Sequence, residues 1–406
     1  MRILHSSDWH LGQHFMGKTR QAEHQAFTTW LIEQCAVHAV DALIIAGDIF
    51  DTGAPPSYAR ELYNEFIVAL RATGTQLVVL GGNHDSVAML GESKSLLAHL
   101  NTRVIPAVCN PLSEQVLVLN DRAGNPAALL CGIPFIRPRD VLLSQAGQSA
   151  QDKQLSLQEA IHEHYQQLFA LAETRRDELG GALPIIATGH LTTVGANASE
   201  SVREIYVGAL EAFPTSAFPP AAYIALGHIH RPQRVGGLEH IRYCGSPIPL
   251  SFDEAKQSKE VLLVEFAGRE LANIQALTVP RSQALVSVRG SLVELQQAIT
   301  EAAQQGTAER PVWVEVCVSG DDYLSDLQTR IQAMTEGLPV EVLRIRRERG
   351  NASASLQANA KETLDELSTD DVFAQRLASE SVEPELHQRL HGLYRQVVSE
   401  LREEEV

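Results

Sequence analysis

Cysteine is scarce and unpaired in this 406-residue chain: Cys35, Cys109, Cys131, Cys244 and Cys317 lie scattered, with no Cys-x-x-Cys pair among them. The pattern excludes a disulfide framework and a thiolate zinc cluster, and leaves small apolar fillers suited to a reducing compartment. Long apolar runs are lacking too, none approaching the ~18–20 residues that cross a bilayer. The opening residues, MRILHSSD, lack the basic-then-apolar pattern of an export signal, so the expectation is a cytoplasmic protein with no membrane segment. Basic residues are in deficit, 33 against 50 acidic, for a net charge of −17. Such a chain does not coat nucleic acid or anionic membrane by bulk electrostatics, although a local phosphate site remains compatible with it. What is present is an ordinary globular composition, 44% hydrophobic and 20% charged. The length corresponds to about two to three domains. Histidine is the abundant exception: there are fifteen, several beside Asp, Asn or Gly.

Short runs of Ile, Leu and Val predict strands at 2–5, 42–46, 76–80, 129–133, 184–188, 223–226, 241–244 and 261–266. Stretches of helical period separate them, such as 21–40, where Ala26, Phe27, Trp30 and Leu31 share a face. Alternation of this kind predicts an α/β fold with its sheet buried between layers. Residues 195–220 hold few strand signals, end in Pro219-Pro220 and read as a long surface excursion. From residue 282 the pattern changes to strands at 284–288, 312–316 and 340–345 around helices at 291–305 and 323–336, a small α+β unit. Residues 350–360 have linker composition. Beyond them Leu386, Leu390, Leu393, Tyr394, Val397 and Leu401 form a helical stripe that docks on its own domain or on a partner. The expected organisation is therefore a catalytic domain (1–270), a small cap (282–348), a linker (349–360) and a helical tail (361–406).

Most of the apolar runs in the first part end in a polar cluster: SSDWH, GDIFD, GGNHD, TGH and GHIH. Together they offer Asp8, His10, Asp48, Asn83, His84, Asp85, His190, His228 and His230. Carboxylate and amide oxygens mixed with imidazole nitrogens suit Mn²⁺, Fe²⁺ or Zn²⁺ better than the all-oxygen sites of Mg²⁺ or Ca²⁺. In extended backbone the Asp-x-His and His-x-His spacings put both side chains on one side. Any one cluster alone reads more simply as a turn; five in order, each ending an apolar run, do not. The string GQHFMGKT, Gly12 to Thr19, matches a P-loop pattern. Asp8 and His10 stand where a P-loop's strand-end backbone should cradle phosphate, so the match is read as coincidence.

The series DxH, GDxxD, GNH[DE], GH and GHxH resembles the calcineurin-like metallophosphoesterase superfamily. The wording HSSDWHLG, AGDIFDTGAPPSYA, ATGHLTTVGA, YIALGHIHRPQ and YCGSPIPLSFDE is similar to its bacterial DNA-end-processing nuclease branch. The resemblance is dense through residue 270 and extends in layout to the cap and tail. It implies a layered β-sandwich flanked by helices, and a two-metal site. Asp8, His10 and His230 would hold one ion, Asn83, His190 and His228 the other, with Asp48 bridging. His84 would act as general acid at the leaving group. Asp51 would orient His84, or else cap a turn. The implied activity is a Mn²⁺-dependent deoxyribonuclease, exonucleolytic on double-stranded ends and endonucleolytic on single strands and hairpins, in DNA repair and recombination. The implied partners are DNA and an SMC-family ATPase, with a homodimer inside a heterotetramer. Leu62 and Phe66 would face a second copy or the chain's own core. Local positive charge at Arg137 and Arg139 offers a DNA surface; the cluster Arg344, Arg346, Arg347 and Arg349 would meet DNA or, more simply, stand solvated near glutamates. The alternatives are a phosphoesterase for small molecules or phosphoproteins, and a metal-free scaffold; the latter requires missing ligands, and none of the seven positions is missing.

Overall fold

The computed structural model describes residues 1–142, 150–203, 205, 212–319, 326–347, 389–390 and 393–394. The linker, Arg349 and most of the tail, including Leu386, Val397 and Leu401, lie outside the described residues.

Two six-stranded sheets carry the first part of the chain. In spatial order the first runs Glu270–Thr278, Glu260–Ala267, Arg2–Ser6, Ala42–Ile45, Gln76–Leu80 and Thr102–Ile105. The last four strands are parallel, with Leu4 opposite Leu43 and Ile44 opposite Val78. The second runs Gln233–Val235, Leu238–Tyr243, Tyr223–Gly227, Ile185–His190, Pro126–Cys131 and Val116–Asn120, its middle four again parallel. Ile3, Ala42, Ile44, Val78 and Leu80 of the first sheet bury against Leu130, Ile186, Tyr223 and Ala225 of the second. Strands covered on both faces have no side to present to water, which is why they read as unbroken apolar runs.

The outer face of the first sheet is covered by the helices Gln21–Val37 and Ser57–Leu70. Leu62 and Phe66 belong to this core, 8% and 2% exposed, so of their two expected roles the intramolecular one is realised. Over the second sheet lies the 29-residue helix Ala150–Glu178. It inserts Leu157, Ile161, Tyr165, Leu168, Phe169 and Ala172, a stripe of period 3.6. The result is a layered α/β sandwich. GQHFMGKT folds around a hairpin, His14–Phe15 with Lys18–Thr19, and offers no helix N-terminus to a phosphate.

The chain divides into two compact units, Met1–Ser287 and Val288–Val406. The three-stranded sheet Leu285–Gly290, Val312–Val318 and Val340–Arg347 alternates with the helices Leu292–Ala303 and Leu327–Thr335. Ser291 and Glu294 close a capping box at the first of these helices. Among the arginines of this unit, Arg344 pairs with Glu315, and Arg346 lies 3.8 Å from the same carboxylate.

Candidate metal centre

The parallel strands of both sheets end on the same side, where crevices of α/β sheets usually hold ligands. Past Ser6 the chain leaves the first sheet, and Asp8 (φ 54°) and His10 (φ 48°) take left-handed conformations. Three backbone bonds, from the amides of Asp8, His10 and Leu11 to the carbonyls of Gly47, Asp48 and Ile49, tie this turn to the loop after Ala42–Ile45. The Asp-x-His pair is thus not on extended backbone, as its spacing suggested. Its two side chains share a side because Trp9 between them is drawn into the core, edge-on to Phe27 and Phe66, with Nε1 donating to Ser6 Oγ at 2.8 Å. His228 (φ 94°) likewise follows its strand rather than continuing it.

Three sets of ligand atoms each lie within 4.8 Å of one another: Asp8, His10 and His230; His10, Asp48 and His84; Asp48, His190 and His228. Asp48 Oδ2 stands between the outer sets, 3.2 Å from His190 Nε2 and 3.7 Å from His10 Nε2. Asn83 Oδ1 is 2.9 Å from His190 Nε2 and 3.2 Å from His228 Nδ1. Such separations match the edge of an octahedron built on metal bonds of ~2.1 Å. His10 Nε2 and His228 Nε2 are buried with no hydrogen-bond partner among the described residues, an expense that a divalent cation removes. The residues present therefore fit two divalent ions. Two glycines make the crowding possible. A Cβ on Gly82 would stand 2.1 Å from Asp48 Oδ1, and one on Gly227 would stand 1.9 Å from the Ala46 carbonyl.

Groups behind the cluster fix the imidazoles. His190 Nδ1 donates to the Ala46 carbonyl at 2.9 Å, which leaves Nε2 as its lone pair toward the site. His10 Nδ1 meets Asp51 Oδ1 at 3.2 Å, and His230 Nδ1 meets Ser201 Oγ at 2.6 Å. The half-buried His84 donates its backbone N–H to Asp48 Oδ1 at 2.9 Å and its Nδ1–H to the Asp51 carbonyl at 2.6 Å. Asp51 thus reaches His84 through its main chain, while its carboxylate serves His10. The spacing could not separate these roles, because side chain and carbonyl leave the same residue in different directions. Asp85 accepts from the amides of Ile49, Phe50 and Gly82 and braces two site loops. Burial, then the charge of Asp48, push its carboxyl up to about 6.

Without metal the cluster is a set of coupled acid–base pairs. Burial opposes charge on Asp48 but is outweighed by His190, His10 and His84, so its carboxyl lies well below the usual range. Burial likewise opposes the charged form of His190; Asp48 overrides it and raises the imidazole to about 9. Burial, then the neighbouring His190, push His228 well below its ordinary value. A cation bound through His190 Nε2 would have to displace that imidazole's proton.

Arg137, expected at a DNA surface, lies over the Phe135 ring at 5.4 Å and donates to the Asp85 carbonyl at 3.2 Å; Arg139 is 79% exposed. The residues missed in the sequence are Ser199, Ser201, Glu254 and Lys259, which meet behind His230. Of these only Glu254 falls within wording singled out in the sequence, YCGSPIPLSFDE; Ser199, Ser201 and Lys259 carry no local signal.

Residues 1–232 match the family model described as calcineurin-like phosphoesterase, and residues 281–381 the one described as type 5 capsule protein repressor C-terminal domain. The chain is 53% identical to the SbcD component of the SbcCD nuclease of Escherichia coli (strain K12), over 97% of each chain. It is 33% identical to the component of that name in Rhodobacter capsulatus, over 84% of this chain and 86% of the relative. Against that of Bacillus subtilis the identity is 31%, over 80% and 81% respectively. Among the described residues no helix is long and apolar enough to cross a membrane.

Proposed function

The chain belongs to the calcineurin-like phosphoesterase family, in the branch of the SbcD nucleases, and we propose that its paired metal sites hydrolyse DNA phosphodiesters in partnership with an SMC-family ATPase. It is an enzyme, a metal-dependent phosphodiesterase and the nuclease component of an SbcCD complex. Asp8, His10 and His230 would hold one divalent ion and Asn83, His190 and His228 the other, with Asp48 placed to serve both. The mixed oxygen and nitrogen donors suit Mn²⁺, Fe²⁺ or Zn²⁺, and of these we propose Mn²⁺. The observation that carries this reading is the position of Asp48 Oδ2 between imidazoles from two sheets.

The chemistry that two divalent ions would supply there is a lowered pKa for an attacking water and charge to offset the phosphodiester and its departing oxygen. The protein's own residues do the rest. Asp51 and the Ala46 carbonyl hold His10 and His190 in the tautomers that point Nε2 inward. His84, with Nδ1–H committed to the Asp51 carbonyl, keeps Nε2 free to exchange a proton with the leaving oxygen. Its ring packs edge-on to His10 at 4.7 Å, which holds that nitrogen at the rim of the cluster. The substrates we propose are double-stranded ends, single strands and hairpins. The tail at 361–406 takes the ATPase, two copies of each chain form the assembly, and the enzyme works in the cytoplasm.

The test is cleavage of linear DNA by the protein with its ATPase partner, in Mn²⁺ and in Mg²⁺. His84→Ala is expected to slow cleavage about 10²- to 10⁴-fold while two ions per chain remain bound. Full cleavage by that variant would remove His84 from the chemistry. Rapid turnover of a nucleotide or phosphoprotein with DNA left intact would replace the nuclease reading altogether.

A further inference from the structure

Behind His230 lies a polar network that the chemistry above does not use. Glu254 is fully buried, and Lys259 is 4% exposed. Lys259 Nζ donates to Glu254 Oε2 at 2.5 Å, to Ser246 Oγ at 3.0 Å and to the His230 carbonyl at 2.8 Å. The other oxygen, Glu254 Oε1, accepts from Ser199 Oγ at 2.7 Å and Ser201 Oγ at 2.5 Å. Ser201 Oγ in turn lies 2.6 Å from His230 Nδ1, whereas Glu254 Oε1 is 3.6 Å from that nitrogen, beyond direct bonding. A hydroxyl has one proton. Donated to the carboxylate, it leaves the oxygen lone pair to accept Nδ1–H, so the relay fixes His230 with Nε2 unprotonated.

We propose that Glu254, acting through Ser201, is a positioning residue for the first metal ion. The Glu254–Lys259 ion pair grips His230 at both ends, the ring through Ser201 and the main chain through Lys259. A buried ion pair adds little net stability against an apolar replacement. What it provides here is orientation: carboxylates behind metal-binding histidines set tautomer, ring angle and basicity. The relay also fastens residues 199–201 to this ion site; the stretch 195–220, expected as a surface excursion, buries Phe213 and Phe218 in the core of the second sheet. This inference rests on the two-metal reading.

Mn²⁺ titration of the full chain by calorimetry, with the electron paramagnetic resonance spectrum of the loaded protein, tests it. Ser201→Ala keeps the ion pair intact. It is expected to weaken one of the two ions about 10- to 100-fold, to leave the other unchanged and to replace the spin-coupled signal of the ion pair with that of a single Mn²⁺. Its thermal midpoint in chelator should fall by no more than the loss of one buried hydrogen-bonding hydroxyl implies, and Ser201→Thr should restore the weakened ion. Two unchanged affinities, or equal weakening of both with a lowered midpoint in chelator, would overturn the proposal. A parent protein that binds fewer than two ions would instead overturn the two-metal reading beneath it.

Discussion

The two six-stranded sheets bury a common core, yet they arm the site with different chemistry. Loops of the first sheet deliver both carboxylates, Asp8 and Asp48, together with Asn83, His84 and a single histidine ligand, His10. The second delivers imidazole only, from His190, His228 and His230. The two outer ligand sets each cross from one sheet to the other, Asp8 and His10 with His230, and Asp48 with His190 and His228. Carboxylate charge comes from one wall and imidazole nitrogen alone from the other. On the proposed ligand assignment, metal affinity depends on how the sheets are held together as well as on either wall.

The severest way to break this division is Asp48→Asn, which removes one carboxylate from the first wall and keeps the side chain's shape. Cleavage should fall about four orders of magnitude, the scale of losing a central member of a constellation, and metal analysis should show one ion per chain at most. Retention of two ions would mean that the imidazole wall suffices. A second intervention acts on the joint. Gly227→Ala would set a Cβ against the Ala46 carbonyl, and the crowding should cost about 3 kcal/mol in chemical denaturation. An unchanged unfolding midpoint would show that the sheets part there freely.

The smallest effect sharpens the comparison at the flanks. Each sheet's covering helix buries a histidine, His24 on Gln21–Val37 and His164 on Ala150–Glu178, and burial first of all lowers them to about 3 and about 4. A lowered histidine stabilises the fold fully above its unfolded value near 6.5, and loses that contribution as pH falls toward the folded value. At pH 5 the unfolded chain gains about 2 kcal/mol per such group. His24→Leu should therefore flatten the acid limb of stability between pH 7 and pH 5 by about that amount. An acid limb as steep as the parent's would show that His24 takes up its proton in the folded state.

The strand ends and their polar clusters were legible because each is local: an apolar run, a glycine and a ligand within a few residues. What the sequence hid is non-local or conformational. The strand Glu270–Thr278 lies at a sheet edge, largely exposed, and so lacks an apolar run. The long helix Ala150–Glu178 carries a stripe from Leu157 to Ala172 that its strongly polar other faces mask. Glu254 meets Ser201 across 53 residues, which no spacing rule anticipates. The left-handed turns at Asp8 and His10 arise from tertiary hydrogen bonds to the neighbouring loop, not from local propensity.

Those turns have a consequence for anyone who engineers this scaffold. Asp8, His10, Asp48 and His228 all hold positive φ, a conformation that costs an L-residue about 1–2 kcal/mol and a glycine almost nothing. Mutations that relieve a molecule's backbone ordinarily look like improvements. Here a selection for thermal survival alone, blind to catalysis, meets that backbone relief at the proposed metal ligands themselves. Set against it are the amides of His228 and His84, which bond to Asp8 and Asp48. Whatever such a selection gained there would come at the enzyme's expense.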